Sequence, residues 1–151
     1  MIKIIDGIRY NTKTSTLIFK VNSIYPKSDI RWSEEYLYKT KSGKYFLHGI
    51  GGPGSPYAIA NDIYTNKEGE KIIPMPFNQL VSWAEEYMPD EKLKILLMNI
   101  RQEIKRNRTE IPVFLENVYG RLSVRERYKK LLEVNKEKAS SENYRLTYVD
   151  W

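Results

Sequence analysis

The sequence predicts an α+β fold, with a small, mainly antiparallel sheet in the N-terminal part and a basic helical extension after it. Apolar and polar residues alternate through much of residues 2–73, which is typical of half-buried strands joined in hairpins. After Pro89, leucine and isoleucine recur at helical spacing. Residues 144–149 alternate again, and this pattern predicts a C-terminal strand.

A chain of 151 residues is of the usual length for one domain. We therefore expect one compact unit with two parts, an α+β hairpin module at 1–88 and the basic helical extension with its strand at 89–151. The absence of cysteine excludes disulfides, thiolate nucleophiles and cysteine-based zinc sites. With neither a signal-peptide pattern nor an apolar run of spanning length, we expect a cytoplasmic protein without a membrane partner.

The first strands are predicted on both sides of a break at Asp6-Gly7, and a third strand follows a polar turn at 11–15. Their alternating apolar residues are Ile2, Ile4, Ile8, Tyr10, Leu17, Phe19 and Val21. Residues 23–30 contain a proline and small polar residues, and these predict a loop.

Residues 34–48 predict a β-hairpin that turns at Ser42-Gly43. A two-residue turn at this place pairs Thr40 with Tyr45. One face of the hairpin then carries Tyr36, Tyr38, Tyr45 and Leu47, and we expect this face to meet the core. The tip of the hairpin presents three lysines to solvent, Lys39, Lys41 and Lys44.

The hairpin leads into a glycine-proline loop at 49–56, whose composition excludes regular structure. Its glycines match the spacing G-x-G-x-x-G, but Pro53 and Pro56 remove N–H donors that a phosphate cradle would use. No βαβ pattern surrounds the loop, so we expect neither a dinucleotide nor another cofactor, and no metal site. Residues 57–64 are predicted as a short helix, Glu70–Ile73 as a strand, and 78–88 as a helix capped by Asn78.

In the extension, Pro89-Asp90-Glu91 predicts the start of a long helix. A shorter helix is expected to end at Gly120. The capping-box pattern Ser123 to Glu126 then begins a third helix. Its inward-facing residues are predicted to be Val124, Tyr128, Leu131, Leu132 and Asn135.

Positive charge is concentrated in this extension. Residues 1–90 carry 11 basic and 10 acidic side chains, whereas residues 91–151 carry 14 and 9. A polyanion would therefore bind the extension. A solvated helix face or a surface for an acidic protein explains the same charges. The candidate contact residues are the hairpin-tip lysines Lys39, Lys41 and Lys44 together with Lys94, Arg101, Lys105, Arg108, Arg125 and Lys129.

His48 is the only histidine, and it can act as a general base if Glu34 or Glu35 lies nearby across the hairpin. A lone histidine at a strand end is more often structural. Glu34 and Glu35 are adjacent on a strand, so they point to opposite faces and cannot form an acid–base dyad. We therefore expect no catalytic residue and a protein that is not an enzyme.

A linked set of motifs runs through residues 9–88: EExLY from Glu34, GxYFLHGxGGPxSxYA from Gly43, GEKIIP from Gly69 and WAEE from Trp83. In these motifs the chain resembles a family of small, mostly uncharacterised proteins of plasmids, conjugative elements and prophages of low-GC Gram-positive bacteria. Ile50 stands where the family pattern has glutamate, and Gly54 where it has methionine. The residues expected to fix the shared fold are Tyr38, Tyr45, His48, Gly51, Gly52, Tyr57 and Trp83.

Proteins of such elements that join a shared module to a variable tail are similar to anti-defence factors, including anti-CRISPR inhibitors of Cas9-type nucleases. The resemblance implies a non-enzymatic inhibitor in the bacterial host cell, bound to a Cas9-like nuclease or to its guide RNA–DNA complex. The net charge of +6 argues against mimicry of DNA. The alternatives are a nucleic-acid-binding accessory or regulatory protein of the element, and a small enzyme that uses His48 with Glu34 or Glu35. The sequence leaves the oligomeric state open.

Overall fold

The computed structural model describes residues 1–107 and 111–142, with the side chains of these residues except 130 and 133–142. The α+β prediction is confirmed, since an antiparallel sheet of several strands precedes three helices. The chain divides into two compact units, Met1–Met88 and Pro89–Trp151. The C-terminal strand predicted at 144–149 lies outside the described residues.

Residues 1–88 form eight strands and one helix. The strands are β1 Ile2–Ile5, β2 Ile8–Asn11, β3 Thr16–Asn22, β4 Ser33–Lys39, β5 Tyr45–Gly51, β6 Ile59–Ala60, β7 Asn66–Lys67 and β8 Gly69–Pro74, and the helix is α1 Phe77–Tyr87. A four-stranded antiparallel sheet has the order β3-β4-β5-β8, while β1 pairs with β2 and β6 with β7. Asp6 and Gly7 join β1 to β2 with φ values of 51° and 76°, as a tight two-residue hairpin turn requires.

Both faces of the four-stranded sheet carry packed structure. On one face the β1–β2 hairpin places Tyr10 edge-on to Phe46, with ring centroids 5.3 Å apart, and Ile72 completes this buried cluster. On the other face α1 places Trp83 against Phe19, with ring centroids 6.5 Å apart. Burial from both sides explains why β5 is buried at six of its seven positions, without the alternation of a half-exposed strand.

The register of the β4–β5 hairpin differs from the prediction by one residue, because Lys39 and not Thr40 pairs with Tyr45. The loop is longer than two residues: the Thr40 N–H donates to the Lys44 carbonyl at 2.7 Å, and Gly43 adopts a φ of 88°. A one-residue shift exchanges the faces of one strand. The observed faces are Tyr36, Tyr38, Phe46 and His48 on one side, and Leu37, Tyr45 and Leu47 on the other.

Residues 57–64 do not form the predicted helix. β6 and β7 make a small hairpin here, and the Asp62 carboxylate closes its turn by accepting hydrogen bonds from the N–H groups of Tyr64 and Thr65. Such local bonding by aspartate competes with helix formation. After β8, α1 is helical as predicted, but it begins at Phe77 after Pro76 and has no side-chain cap from Asn78.

The second unit contains α2, Asp90–Arg106, and α3, Val113–Glu142. Since α3 runs through Gly120 and the segment from Ser123 to Glu126, the predicted helix end and the predicted capping box are wrong. A Cβ added at Gly120 would meet nothing within 4 Å. One glycine costs a helix only about 1 kcal/mol, which packing elsewhere along the helix offsets.

The two helices run antiparallel, with Asp90 2.8 Å from Lys129 at one end and Arg101 3.0 Å from Glu116 further along. Three residues predicted to face inward are instead exposed, Val124, Tyr128 and Leu131. Among the α3 side chains that the structure describes, the buried ones are Leu115, Val118 and Leu122, whose side of the helix continues toward Lys129. No helix within residues 1–107 and 111–142 is long and apolar enough to cross a membrane.

Candidate nucleic-acid interface

Strand pairing gathers polar side chains at one end of the sheet face that also carries the β1–β2 hairpin. Lys20, Tyr36 and His48 lie opposite one another on β3, β4 and β5. Asn22 and Glu34 form the next cross-strand pair, two residues along. Since side chains alternate between faces along a strand, all five project from the same face. We call these five residues the polar rows.

Within the polar rows, the Tyr36 hydroxyl donates to Glu34 Oε2 at 2.7 Å. This hydrogen bond is the main reason that the pKa of Glu34 is lowered, with Lys20 and Lys27 acting in the same direction against partial burial. Burial first and the Glu34 bond second raise the pKa of Tyr36. Glu34 is therefore a fixed carboxylate at neutral pH, and its side chain is 16% exposed.

His48 lies against Glu70 of β8, with 2.7 Å between His48 Nε2 and Glu70 Oε2. Glu70 thus occupies the place that the sequence-based hypothesis gave to Glu34 or Glu35. The Tyr36 ring centroid is 6.0 Å from that of His48. Sequence reasoning missed Glu70 because the pairing of β8 with β5, which sets Ile72 opposite His48, has no local signal.

A groove of about 230 Å³ opens beside the polar rows, where β3 leaves the sheet and β4 enters it. The Ser23 N–H donates to the Ser33 carbonyl and the Ser33 N–H donates to the Ser23 hydroxyl oxygen, both at 2.9 Å. These bonds hold the two ends of the β3–β4 loop together. The groove is lined by Lys20, Asn22, Ser23, Tyr25, Pro26, Lys27, Trp32, Ser33 and Glu34.

Cations lie over aromatic rings in the β3–β4 loop. The Arg31 guanidinium is 4.1 Å from the centroid of the Tyr25 ring, and Lys27 Nζ is 5.6 Å from that of Trp32. Asp29 accepts two hydrogen bonds from the Arg31 guanidinium, at 3.0 and 2.8 Å, and these, with a third from the Arg31 backbone N–H, lower the pKa of Asp29 to about 2. A cation within about 6 Å of a ring centroid is attracted to the ring face, which carries a negative electrostatic potential. The loop therefore presents rings and positive charge together.

The glycine-proline loop supports the Trp32 wall of this groove, although its residues 49–51 form the end of β5 and the prediction of irregular structure is wrong there. The Gly52 N–H donates to the Trp32 carbonyl at 3.0 Å, and the Gly54 N–H donates to the Ile30 carbonyl at 2.8 Å. A Cβ on Gly52 would collide with the Trp32 indole and the Ile30 carbonyl, and one on Gly51 with the Ser55 side chain. Glycine at these positions is required for close approach of the two loops.

On the opposite face, Glu35 accepts hydrogen bonds from the Tyr57 hydroxyl at 2.9 Å and from Trp83 Nε1 at 2.6 Å. The Tyr57 ring lies where a Cβ on Gly49 would be. Burial, and then the bond to Glu35, raises the pKa of Tyr57. Tyr57 and Trp83, predicted as framework residues, are therefore buried together around one carboxylate, and Glu35 is remote from the polar rows.

The hairpin residues named from sequence lie near the β4–β5 loop. Lys41 and Lys44 are exposed in that loop. Lys39 Nζ lies 5.5 Å from the centroid of the buried Tyr45 ring. Tyr38 stacks on Phe46, with ring centroids 5.3 Å apart.

Four of the helix cations named from sequence contact carboxylates of the neighbouring helix. Lys94 lies 3.3 Å from Glu126, and Arg101 lies 3.0 Å from Glu116 while its guanidinium is 4.8 Å from the Tyr119 ring centroid. The structure brings two others together at Asp90, where Arg125 is at 3.5 Å and Lys129 at 2.8 Å. Lys105 is exposed near the end of α2, and Arg108 lies outside the described residues.

The residues around the groove were missed by the sequence reasoning, which treated the segment before β4 as a connection only. A signal was present, since Tyr25-Pro26-Lys27 and Arg31-Trp32 alternate rings with cations. Over the part of the chain that the structure describes, no three side chains of His, Cys, Asp or Glu come close enough together to hold a metal ion. Comparisons of the chain with protein-family models, curated proteins and solved structures found no match.

Proposed function

We propose that this protein acts by binding, without catalysing a reaction, and that its partner contains single-stranded nucleic acid. The observation that carries the proposal is the groove, where Lys20 and Lys27 stand beside Tyr25 and Trp32. Aromatic side chains stack on unpaired bases, and cations neutralise the adjoining phosphates. The groove, of about 230 Å³, has room for one base.

The resemblance to proteins of mobile elements supports a proposal for the partner. We propose a Cas9-like defence nuclease with its guide RNA, in the cytoplasm of a bacterial host. Such a complex exposes unpaired guide nucleotides before target pairing and a displaced DNA strand afterwards. A protein that holds either strand competes with a step required for cleavage. The net charge of +6 favours contact with nucleic acid over mimicry of it.

Cleavage of a target DNA by a Cas9–guide complex from a low-GC Gram-positive host tests this proposal. We expect added protein to stop cleavage, and the double variant Lys20→Gln/Lys27→Gln to require a higher concentration. Lys67→Gln, an exposed lysine on β7, is the matched control and should act like the unmodified protein. Complete cleavage at a large excess of protein contradicts the inhibitor proposal.

A second candidate is a nucleic-acid-binding accessory protein of the mobile element. The groove favours it as well, since rings and cations suffice to hold a strand without a nuclease. This candidate predicts binding to DNA or RNA alone. The logarithm of the binding constant should fall linearly as the logarithm of the salt concentration rises. Charge reversal at Arg101 and Lys105 tests whether the helices contribute, as the sequence predicts. Absence of binding at low salt removes this candidate.

A further inference from the structure

Glu34 lines the proposed nucleic-acid groove. A carboxylate is unexpected at such a position because it repels phosphates. Its Oε2 accepts from the Tyr36 hydroxyl at 2.7 Å, and its Oε1 is 3.5 Å from Lys27 Nζ. Each carboxylate oxygen can accept two hydrogen bonds, so both oxygens retain capacity toward the groove that they line. The carboxylate is thus held in place, ionised and able to accept two more N–H groups.

The chemistry of such a group selects among the bases. A fixed carboxylate accepts two parallel hydrogen bonds from adjacent donors, as it does from the guanidinium fork. Guanine alone among the common bases presents two adjacent donors on its Watson–Crick edge, N1–H and the N2 amino group. Adenine and cytosine offer one amino group beside an acceptor that a carboxylate repels, and uracil offers one N–H between two carbonyls.

We infer that the groove is a guanine pocket, in which Glu34 accepts from N1–H and N2–H while Trp32 or Tyr25 packs on the ring. Lys20 and Lys27 flank the carboxylate and contact the phosphate that follows the base. The inference rests on the proposed binding of nucleic acid and adds which base is bound. The same chemistry is present in a guanine of a single strand and in a free guanine nucleotide.

Equilibrium binding of labelled short strands at low salt tests the inference. The probes are oligouridine and the same strand with one central guanine, adenine or cytosine, and GMP competes as the free nucleotide. We expect the guanine strand to bind about tenfold more tightly than the others, within the range for a good bidentate contact. Displacement by GMP identifies a nucleotide site, whereas its failure with strand binding intact identifies a site that also needs flanking phosphates.

The variant Glu34→Gln keeps the shape of the side chain and removes its charge. We expect this variant to lose the guanine preference, so that the affinities of the guanine strand and of oligouridine differ by no more than about twofold. Glu68→Gln, an exposed carboxylate outside the groove, is the matched control and should keep the preference. Inosine in place of guanine removes only the N2 amino group, so it tests the same contact on the unmodified protein. It should bind severalfold more weakly than guanine.

Equal binding of all four strands, an unchanged preference in Glu34→Gln, or inosine equal to guanine each overturns the guanine pocket. These outcomes leave the proposed function standing if the protein still inhibits the Cas9–guide complex or still binds single strands. Guanine-selective binding without inhibition of Cas9–guide cleavage has the reverse consequence. It supports the guanine pocket and contradicts the proposal that the protein is an inhibitor.

Discussion

The two units hold their positive charges in different ways. In the first unit, Lys27 and Arg31 contact Glu34 and Asp29 and also lie over aromatic rings, and Lys27 lines an open groove. In the second unit, Lys94 and Lys129 meet carboxylates of the neighbouring helix. The second unit is the more basic by sequence, yet the groove with its rings and cations lies in the first. We therefore choose the candidate binding surface by the surroundings of the charges and not by their number.

The largest difference between the units is expected in the free energy of unfolding when a glycine is replaced by alanine. In Gly49→Ala the added Cβ meets the Tyr57 ring, and overpacking of this kind costs about 3 kcal/mol. In Gly120→Ala the Cβ enters open space on a helix, and the gain in helix propensity is about 1 kcal/mol. Urea unfolding, followed by tryptophan fluorescence and by helical circular dichroism, measures both free energies. Shifts of the same sign contradict the assignment of Gly49 to a packed contact.

The next largest effect should distinguish lysines that bind a nucleic-acid strand from lysines that stabilise the fold. Lys20→Gln/Lys27→Gln should weaken binding to a single strand about tenfold at low salt and reduce the salt slope by about 0.7 per lost phosphate contact. Lys94→Gln/Lys129→Gln should change binding little and instead lower the free energy of unfolding, by about 0–1 kcal/mol per exposed pair. Fluorescence anisotropy over a salt series measures the binding. If the helix variant loses more affinity, the sequence prediction of a basic helix surface is the better one.

A smaller effect is expected from Asp90, which accepts from both Arg125 and Lys129 and lies in the first turn of α2. Asp90→Asn should lower the free energy of unfolding by about 0.5–1 kcal/mol, since surface pairs are screened and the helix dipole adds little. The difference should shrink in high salt. Glu91→Gln, in the same helical turn, is the control for loss of charge alone. An equal effect of the two substitutions contradicts a specific role for the Asp90 pairs.

The smallest effect concerns Asp29, whose pKa of about 2 is set by Arg31. A carboxyl group with a lowered pKa in the folded state contributes stability above its unfolded value of about 3.9, and this is lost as the pH falls toward 2. In Arg31→Ala the pKa of Asp29 should rise toward that unfolded value but stay below it, because the backbone N–H of residue 31 still donates to Asp29. Carboxyl NMR titration measures it, with Lys27→Ala as the control. An unchanged pKa in Arg31→Ala contradicts the role of the guanidinium.

Local signals predicted many elements and left their pairing open. Asp6-Gly7 and Pro89-Asp90-Glu91 mark a hairpin turn and a helix start at the correct residues. The β4–β5 register was wrong because Gly43 fits either a two-residue turn or a longer loop, and only the closing bond of Thr40 distinguishes them. Gly120 predicted a helix end because local chemistry does not show what packs on the helix further along.

The candidate site depended on contacts that the sequence does not encode locally. Glu70 reaches His48 only through the pairing of β8 with β5, and Trp32 takes its place because Gly52 lacks a side chain. The sequence does show the composition of the groove, in the alternation of Tyr25 and Trp32 with cations. What it cannot show is that both ends of this loop meet beside Glu34.

The Glu35 carboxylate has a consequence for the order of folding. Its two donors lie far along the chain, Tyr57 at a separation of 22 residues and Trp83 at 48. Closing loops of this length costs chain entropy before any contact is gained, whereas the β4–β5 hairpin needs only local closure. We expect the hairpin to form first and the Glu35 bonds to form after the main barrier. Tyr57→Phe should therefore speed unfolding more than it slows folding. The hydrogen bonds of Glu35 would then set the unfolding rate, and with it the lifetime of the folded state.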